Sequence, residues 1–139
     1  MTHSVFVLDT NVISEALRPR PSVRVRHWVE AQPQSSLYLT TISQAEMLLG
    51  VRLLPGGKRR TLLESAINST FDGEFRGRVL TFDSAAARVF ATIVADRQRL
   101  GRPIGYMDAQ IAAVARSNGA SVATRDVQGF ADCGVAIID

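Results

Sequence analysis

The chain has 139 residues, with 16 basic and 13 acidic side chains and a net charge of +3 at neutral pH. Hydrophobic residues make up 46% of it, which is enough for a packed core and excludes an intrinsically disordered chain. A chain of this length is expected to fold as one domain over residues 1–139. The single cysteine, Cys133, excludes an internal disulfide and fits a reducing compartment.

No apolar run reaches the roughly 18–20 residues that a membrane span requires. Met1 to Ser4 contain no cationic start for a signal peptide, and Asp9 soon interrupts the apolar residues that follow. We therefore expect a soluble cytoplasmic protein without a membrane partner.

The basic side chains are almost all arginines, since Lys58 is the only lysine. Arginine binds phosphate oxygens bidentately, which favours a nucleic-acid partner. The alternative is the codon usage of a GC-rich genome. The charge therefore becomes informative only beside a site that handles phosphate.

Short apolar runs alternate with helical patterns along the chain. The first strand ends at Asp9, and Asn11 or Ser14 is expected to cap the helix that follows. Ser43 is expected to open a later helix, and Asp83 to cap the longest one. This alternation predicts an α/β fold in which helices cover both faces of a parallel sheet. The predicted strands are 5–8, 37–40, 79–82, 121–124 and 135–138, and the predicted helices are 12–17, 22–29, 43–54, 58–69, 84–100 and 107–117.

Glu46 lies among apolar positions of its predicted helix. Ile42, Ala45, Leu49 and Leu53 form one stripe at three- and four-residue spacing, and Glu46 falls inside it. A lone carboxylate there would carry a large desolvation penalty unless it protonates or meets a cation. The alternative is a slightly rotated helix that lets Glu46 reach solvent.

Asp108 repeats this pattern on another helix. It lies three and four residues before Ile111 and Ala112, on a face of small apolar residues. The alternative, which is compatible with a functional role, is that this carboxylate stabilises the start of the helix.

Asp9 and Asp126 each follow an apolar strand. Parallel strands end at the same edge of a sheet, where open α/β folds place ligands. Either acid alone could be an ordinary turn or cap residue. Four acids from separate segments would converge only if they shared something cationic.

The donor types predict a site for a hard divalent cation. Carboxylate oxygens are ligands that Mg²⁺ and Mn²⁺ prefer. His3 and His27 are the only histidines and neither directly neighbours one of the four acids in sequence, and no Cys/His spacing suits zinc. Asp83 also follows a strand, but the alanines behind it indicate a plain helix cap.

Four short motifs carry a family resemblance. They are Val-Leu-Asp-Thr-Asn at 7–11, Ser-Gln-Ala-Glu at 43–46, Ile-Gly-Tyr-Met-Asp-Ala-Gln-Ile-Ala-Ala at 104–113 and Ala-Thr-Arg-Asp at 123–126. In this order they resemble the PIN domain, especially the VapC and FitB-like toxin branch of bacterial toxin–antitoxin pairs. The resemblance covers essentially the whole chain. One departure is the Ile-Gly-Tyr-Met stretch, where the family more usually has a short apolar lead into its third acid.

The resemblance implies a PIN-like α/β/α sandwich with a central twisted parallel sheet. It also implies that the four acids form one catalytic quartet in a groove. Asp9 and Asp108 would be the most direct ligands of Mg²⁺ or Mn²⁺, and Asn11 and Thr124 would orient ligands or waters beside them. The quartet is Asp9, Glu46, Asp108 and Asp126.

The implied activity is metal-dependent hydrolysis of RNA phosphodiester bonds. No side-chain nucleophile is required, and Cys133 has no evident histidine partner. Arginines are the expected contacts to the RNA backbone, although ordinary surface charge is the alternative for each of them. These arginines are Arg18, Arg20, Arg24, Arg26, Arg102 and Arg125.

A nuclease of this kind implies a cognate antitoxin whose peptide covers the groove, in a larger assembly built on a toxin homodimer. Trp28 and Val29, or Leu62 and Leu63, could provide apolar contact surfaces. The alternative is that these residues fill the core of the chain itself.

Other functions remain open at this point. The chain could be an RNA-processing nuclease outside a toxin pair, or a non-catalytic metal-binding interaction module. A phosphotransferase or dehalogenase-like enzyme with Asp9 as nucleophile would need a second acid and a lysine nearby, but Lys58 follows a Pro-Gly-Gly turn. A receiver-like module with Asp83 as phosphoacceptor also lacks a suitable late lysine.

Overall fold

The computed structural model describes residues 4–134 and 137–138. Within these residues, five strands form one sheet in the order β3-β2-β1-β4-β5, and every neighbouring pair is parallel. The strands are β1 (Phe6–Leu8), β2 (Leu37–Thr40), β3 (Val79–Leu80), β4 (Ser121–Ala123) and β5 (Ile137–Ile138).

Helices connect these strands. A 3-10 turn, Gln34–Ser36, precedes β2, and a π-helical turn, Thr70–Glu74, follows the fourth helix. The helices of the described residues are α1 (Thr10–Ala16), α2 (Val23–Ala31), α3 (Thr41–Arg52), α4 (Lys58–Ser69), α5 (Ser84–Arg99), α6 (Tyr106–Ser117) and α7 (Val127–Phe130). None of them is long and apolar enough to cross a membrane.

The sheet separates two hydrophobic clusters, because successive residues of a strand point to opposite faces. Val7 packs with residues of α5 and α6, including Ile93 and Ile111. Phe6 and Leu8 pack in the second cluster, with residues of α1 to α4. The predicted α/β/α sandwich around a parallel sheet is therefore confirmed.

Two predicted helix starts are wrong. α1 already begins at Thr10, directly after β1, so Asn11 lies inside the helix and does not cap it. α3 begins at Thr41, and the hydroxyl oxygen of Thr40 accepts a hydrogen bond from the Ser43 amide at 3.1 Å. In both cases the strand passes into the helix without a loop. The N-cap residue is therefore Asp9, directly after β1, for α1, and Thr40, the last residue of β2, for α3.

The predicted apolar stripe of α3 is also wrong. Leu49 and Leu53 are 55% and 76% exposed, and Ala45 is exposed as well. Glu46 is half-buried, and it lies at the edge of the helix face that packs on the core rather than inside an apolar stripe. Spacing alone could not choose between two apolar sides of the helix. The residues of α3 that face the core are Ile42, Ser43, Met47 and Val51.

The predictions for the later elements differ mainly in length. β3 is shorter than predicted, and Asp83 caps α5 as predicted, since its Oδ1 accepts a hydrogen bond from the Ala86 amide at 2.9 Å. The short helix α7 was not predicted. Ile137–Ile138 forms the predicted last strand, whereas Val135 and Ala136 lie outside the described residues.

Candidate active site

The four predicted acids lie around one edge of the sheet. Asp9 directly follows β1 and Asp126 comes shortly after β4, two neighbouring parallel strands that end together. Asp108 lies in the first turn of α6, and Glu46 lies in α3. The negative charges of Asp9, Glu46 and Asp126 all act on Asp108, so the four groups share one electrostatic neighbourhood.

Asp9 is the most deeply placed of the four, with only 3% of its surface exposed. Thr124 donates a hydrogen bond from its hydroxyl to Asp9 Oδ2 at 2.8 Å. Burial raises the pKa of Asp9 above its ordinary value, more than the hydrogen bonds from Thr124 and the Thr10 amide lower it. A buried carboxylate in this position therefore favours any ligand that neutralises its charge.

Glu46 is held directly by Thr10 and indirectly by Ser43, two residues for which the sequence analysis predicted no role at the site. Thr10 donates a hydrogen bond to Glu46 Oε1 at 2.9 Å, and the Thr10 and Ser43 hydroxyls are 2.7 Å apart. Ser43 is fully buried. The available signal was weak: Thr10 follows Asp9, and Ser43 lies three residues before Glu46 on the same side of α3.

Asp126 is exposed and caps α7, and its charge acts on both Asp9 and Asp108. Its amide donates to the Thr124 hydroxyl at 2.9 Å, and its Oδ1 accepts from the Gly129 amide at 3.0 Å. A Cβ at residue 129 would collide with the Asp126 carboxylate, which explains the glycine. Thr124 thus connects Asp9 with the backbone of Asp126. Asn11, predicted to assist, has an exposed side chain in α1.

Burial and repulsion raise the pKa of Asp108 from its ordinary value of 3.8 to about 6. Burial contributes most, followed by the charges of Asp9, Glu46 and Asp126. Among the described residues, none of these acids forms an ion pair with a lysine or arginine. The cluster therefore holds negative charge that the neighbouring side chains do not offset.

The stability of the ion-free protein is expected to fall as the pH rises between about 4 and 7. Because the pKa of Asp108 is higher in the folded chain than its ordinary value, the folded state favours the neutral acid, and this contribution is lost as the pH rises through about 6. The loss is about 1–2 kcal/mol, after allowing for solvent screening at a partly exposed group. Thermal melts in EDTA at several pH values measure it. Asp108→Asn should flatten the slope, and an unchanged slope would contradict the assignment.

Residues 6–134 match the PIN domain family. This chain is a PIN-domain protein. It is 41% identical over 135 residues to VapC ribonuclease Y4jK of Sinorhizobium fredii, covering 97% of this chain and 96% of that protein. It is 38% identical over 135 residues to the toxin FitB of Neisseria gonorrhoeae, covering 97% of each. The crystal structure of FitAcB from Neisseria gonorrhoeae superposes with a TM-score of 0.90, at 38% identity and 97% coverage of each chain. The family resemblance of the four motifs is thereby confirmed.

The acid cluster of this PIN domain fits a divalent cation by its chemistry. Its donors are oxygens only, and its charge is not offset by a neighbouring cation, which matches the preference of Mg²⁺ and Mn²⁺. In the part of the chain that the structure describes, no group of three or more His, Cys, Asp or Glu side chains is placed so that all of them could hold one metal ion. Mg²⁺ commonly uses only one or two carboxylates and keeps several waters.

The predicted RNA-binding arginines of the PIN domain are spread over its surface. Glu15 Oε2 lies 3.4 Å from Arg18 Nη1 and 3.9 Å from Arg125 Nη1, so these two arginines share one carboxylate. Arg102 forms an ion pair with Asp132, near the end of the described residues. Three further predicted arginines lie exposed before and along α2: Arg20, Arg24 and Arg26.

Two groups of predicted apolar contacts behave differently. Trp28 is half-buried and packs edge-to-face on Phe6, with ring centroids 5.1 Å apart, so it belongs largely to the core. Val29 and Leu63 also pack against that core, whereas Leu62 is 60% exposed. The thiol of Cys133 is buried, and this burial raises its pKa and keeps it protonated.

Proposed function

We propose that this PIN domain is a divalent-metal-dependent endoribonuclease that acts as the toxin of a toxin–antitoxin pair. The observation that carries the proposal is the gathering of four acids at the carboxyl edge of the sheet, with their mutual repulsion uncompensated. The similar proteins support the reaction class, because their names include a VapC ribonuclease and a tRNA(fMet)-specific endonuclease of Shigella flexneri.

Asp9 and Asp108 are the residues that would hold Mg²⁺ or Mn²⁺ most directly. A bound divalent ion supplies activation of water and neutralisation of charge on the phosphate. Thr124 fixes one oxygen of the Asp9 carboxylate, and Thr10 fixes one oxygen of Glu46. These hydrogen bonds limit the rotation of both carboxylates before substrate arrives, which is the preorganisation that catalysis needs.

Rival functions have less support. Lys58 is exposed at the start of α4, so it does not serve an Asp9 nucleophile at a strand end. Asp83 is already engaged as the cap of α5, which is a structural role and not that of a phosphoacceptor. A PIN-like RNA-processing nuclease outside a toxin pair would share the same site, and the partner experiment below separates it from a toxin.

Incubation of the full chain with a pooled RNA library tests the nuclease. Cleavage is expected with Mg²⁺ or Mn²⁺, and none with EDTA, because the acids repel one another and the phosphate unless a cation is present. Sequencing of the product ends measures both activity and site. Equal cleavage with and without EDTA would contradict metal dependence. No cleavage with any metal would contradict the ribonuclease assignment.

A groove of about 930 Å³ between α1, α3 and α4 supports the antitoxin part of the proposal. Glu46 lies at its lining together with Thr10, so the groove reaches the acid cluster. Basic residues also line it, which suits a peptide that combines apolar and acidic side chains. Solved relatives include FitAB bound to an IR36 DNA fragment. The apolar lining includes Leu17, Met47, Val51, Leu54, Leu62, Leu63 and Ile67, and the basic lining includes Arg18, Lys58 and Arg59.

Co-expression with any short reading frame that adjoins this gene tests the toxin role. We expect growth arrest from the chain alone and relief when the neighbour is present. Leu62→Glu should prevent co-purification of the neighbour by placing a charge in the groove, whereas Leu100→Glu, at a similarly exposed leucine that directly follows α5, should not. Co-purification that survives Leu62→Glu would show that the partner binds elsewhere.

The proposal has three further parts. The chain forms a homodimer within the larger complex, it folds as one domain over residues 1–139, and it is located in the cytoplasm.

A further inference from the structure

A second cavity adjoins the acid cluster on the side of α2. Its volume is about 130 Å³, and α1, α2 and the end of β4 surround it. Val12 and Val25 form an apolar part of its lining, and both are buried. Thr124 also lines it, and this is the threonine that hydrogen-bonds Asp9. The cavity and the acid cluster are therefore immediate neighbours.

The aromatic wall of this cavity is the indole of Trp28. Its edge-to-face contact with Phe6, at an interplanar angle of 81°, restrains the ring in one orientation. The indole is nevertheless only half-buried, so part of it borders the cavity. A restrained and partly open aromatic ring is the usual platform on which a protein stacks an unpaired base.

The rim of the cavity is cationic. Arg125 lines it with a side chain that is 57% exposed, and Arg24 lines it as well. Glu15, whose side chain is only 13% exposed, lies 3.9 Å from Arg125 and accepts a hydrogen bond from the Ser22 amide at 2.9 Å. Glu15 thus connects the rim to the start of α2. An apolar slot with a cationic rim suits a flat ring that carries an anionic group.

We propose that this cavity binds one nucleobase of the RNA strand beside the phosphodiester that is cut, with Arg125 contacting an adjacent phosphate. The inference rests on the proposed function, since it takes the substrate to be RNA. Because the cavity shares Thr124 with the acid cluster, a base held there fixes the strand next to the metal-binding acids. The cavity is then the determinant of base preference at one position beside the cleaved bond.

Trp28 is the only tryptophan of the chain, so its fluorescence reports directly on the cavity. Titration of the full chain with AMP, GMP, CMP and UMP in EDTA should quench this fluorescence saturably, with one nucleotide preferred. Ribose 5-phosphate, which lacks a base, should not. Binding of a labelled single-stranded RNA, followed by anisotropy in EDTA, should weaken at least about 5-fold in Trp28→Leu, because leucine keeps apolar volume but offers no stacking face. Val23→Ala, at an exposed position of the same helix, is the matched control.

Base preference provides the decisive comparison. In the pooled RNA assay, Trp28→Leu should still cleave with metal but lose its preference at one position. An unchanged preference, or no fluorescence response to any nucleotide, would overturn the inference even if the wild type cleaves RNA. A response only to the co-expressed partner would also overturn it, since the occupant would then be a peptide. Quenching by nucleotides without any RNA cleavage would keep the cavity and remove the ribonuclease instead.

Discussion

Replacement of Asp9 or Asp108 with asparagine is expected to lower RNA cleavage by more than about 100-fold, beyond the usual effect of changing a residue that merely supports a metal ligand. Each change removes one negative charge while it preserves side-chain shape. Asparagine at position 9 retains an oxygen that can accept the Thr124 hydroxyl, so the local hydrogen bond survives. Initial cleavage rates on a defined RNA from the pooled assay measure the effect.

The folded state should not suffer from these replacements. Burial disfavours the ionised form of Asp9, and both burial and repulsion disfavour the ionised form of Asp108. The asparagine variants should therefore melt in EDTA at the same temperature as the wild type or higher. Asp83→Asn is the matched control, because asparagine is an equally good helix cap, and it should retain full cleavage. Full activity in both Asp9→Asn and Asp108→Asn would remove the proposed mechanism.

The sequence predicted the parts of the site that depend on local order. The apolar runs before Asp9 and Asp126 were recognisable because a strand buried on both faces is continuously apolar. Parallel pairing then placed the two acids at one edge without any knowledge of the loops. Thr124 was expected as a supporting residue only from the family resemblance, and its hydroxyl bridges Asp9 and the Asp126 amide.

The parts that failed depend on neighbours distant in sequence. Leu49 and Leu53 belong to an apolar pattern, yet they are exposed because other residues of α3 turn toward the core. Ser43 is polar and fully buried, which is tolerable because its hydroxyl meets Thr10, 33 residues away in the chain. The spacing of residues within α3 alone cannot predict a contact between Ser43 and Thr10. Asn11, for which the family resemblance implied a supporting role, has an exposed side chain in α1, and that role stays a prediction.

Arg97 was missed for a related reason, because arginines are normally exposed. It is 5% exposed, and its guanidinium donates hydrogen bonds to the carbonyls of Arg102, Gly129 and Ala131 at 2.6, 3.0 and 2.7 Å. Gly129 in turn donates its amide to Asp126. Arg97 therefore joins the end of α5 to the segment that positions one acid of the cluster.

Arg97→Met is expected to destabilise the fold by about 3 kcal/mol, since methionine fills similar volume but removes three part-buried, charge-assisted hydrogen bonds to carbonyl groups. That corresponds to a fall of about 10 °C in Tm for a chain of this size. Arg99→Met, two residues along α5, removes only an exposed ion pair with Asp96 and should cost less than about 0.5 kcal/mol. Thermal melts compare the two variants. Equal stability would mean that the carbonyls find other partners, whereas a selective loss in Arg97→Met, with cleavage lowered even below its melting range, would show that the buried guanidinium maintains the placement of Asp126.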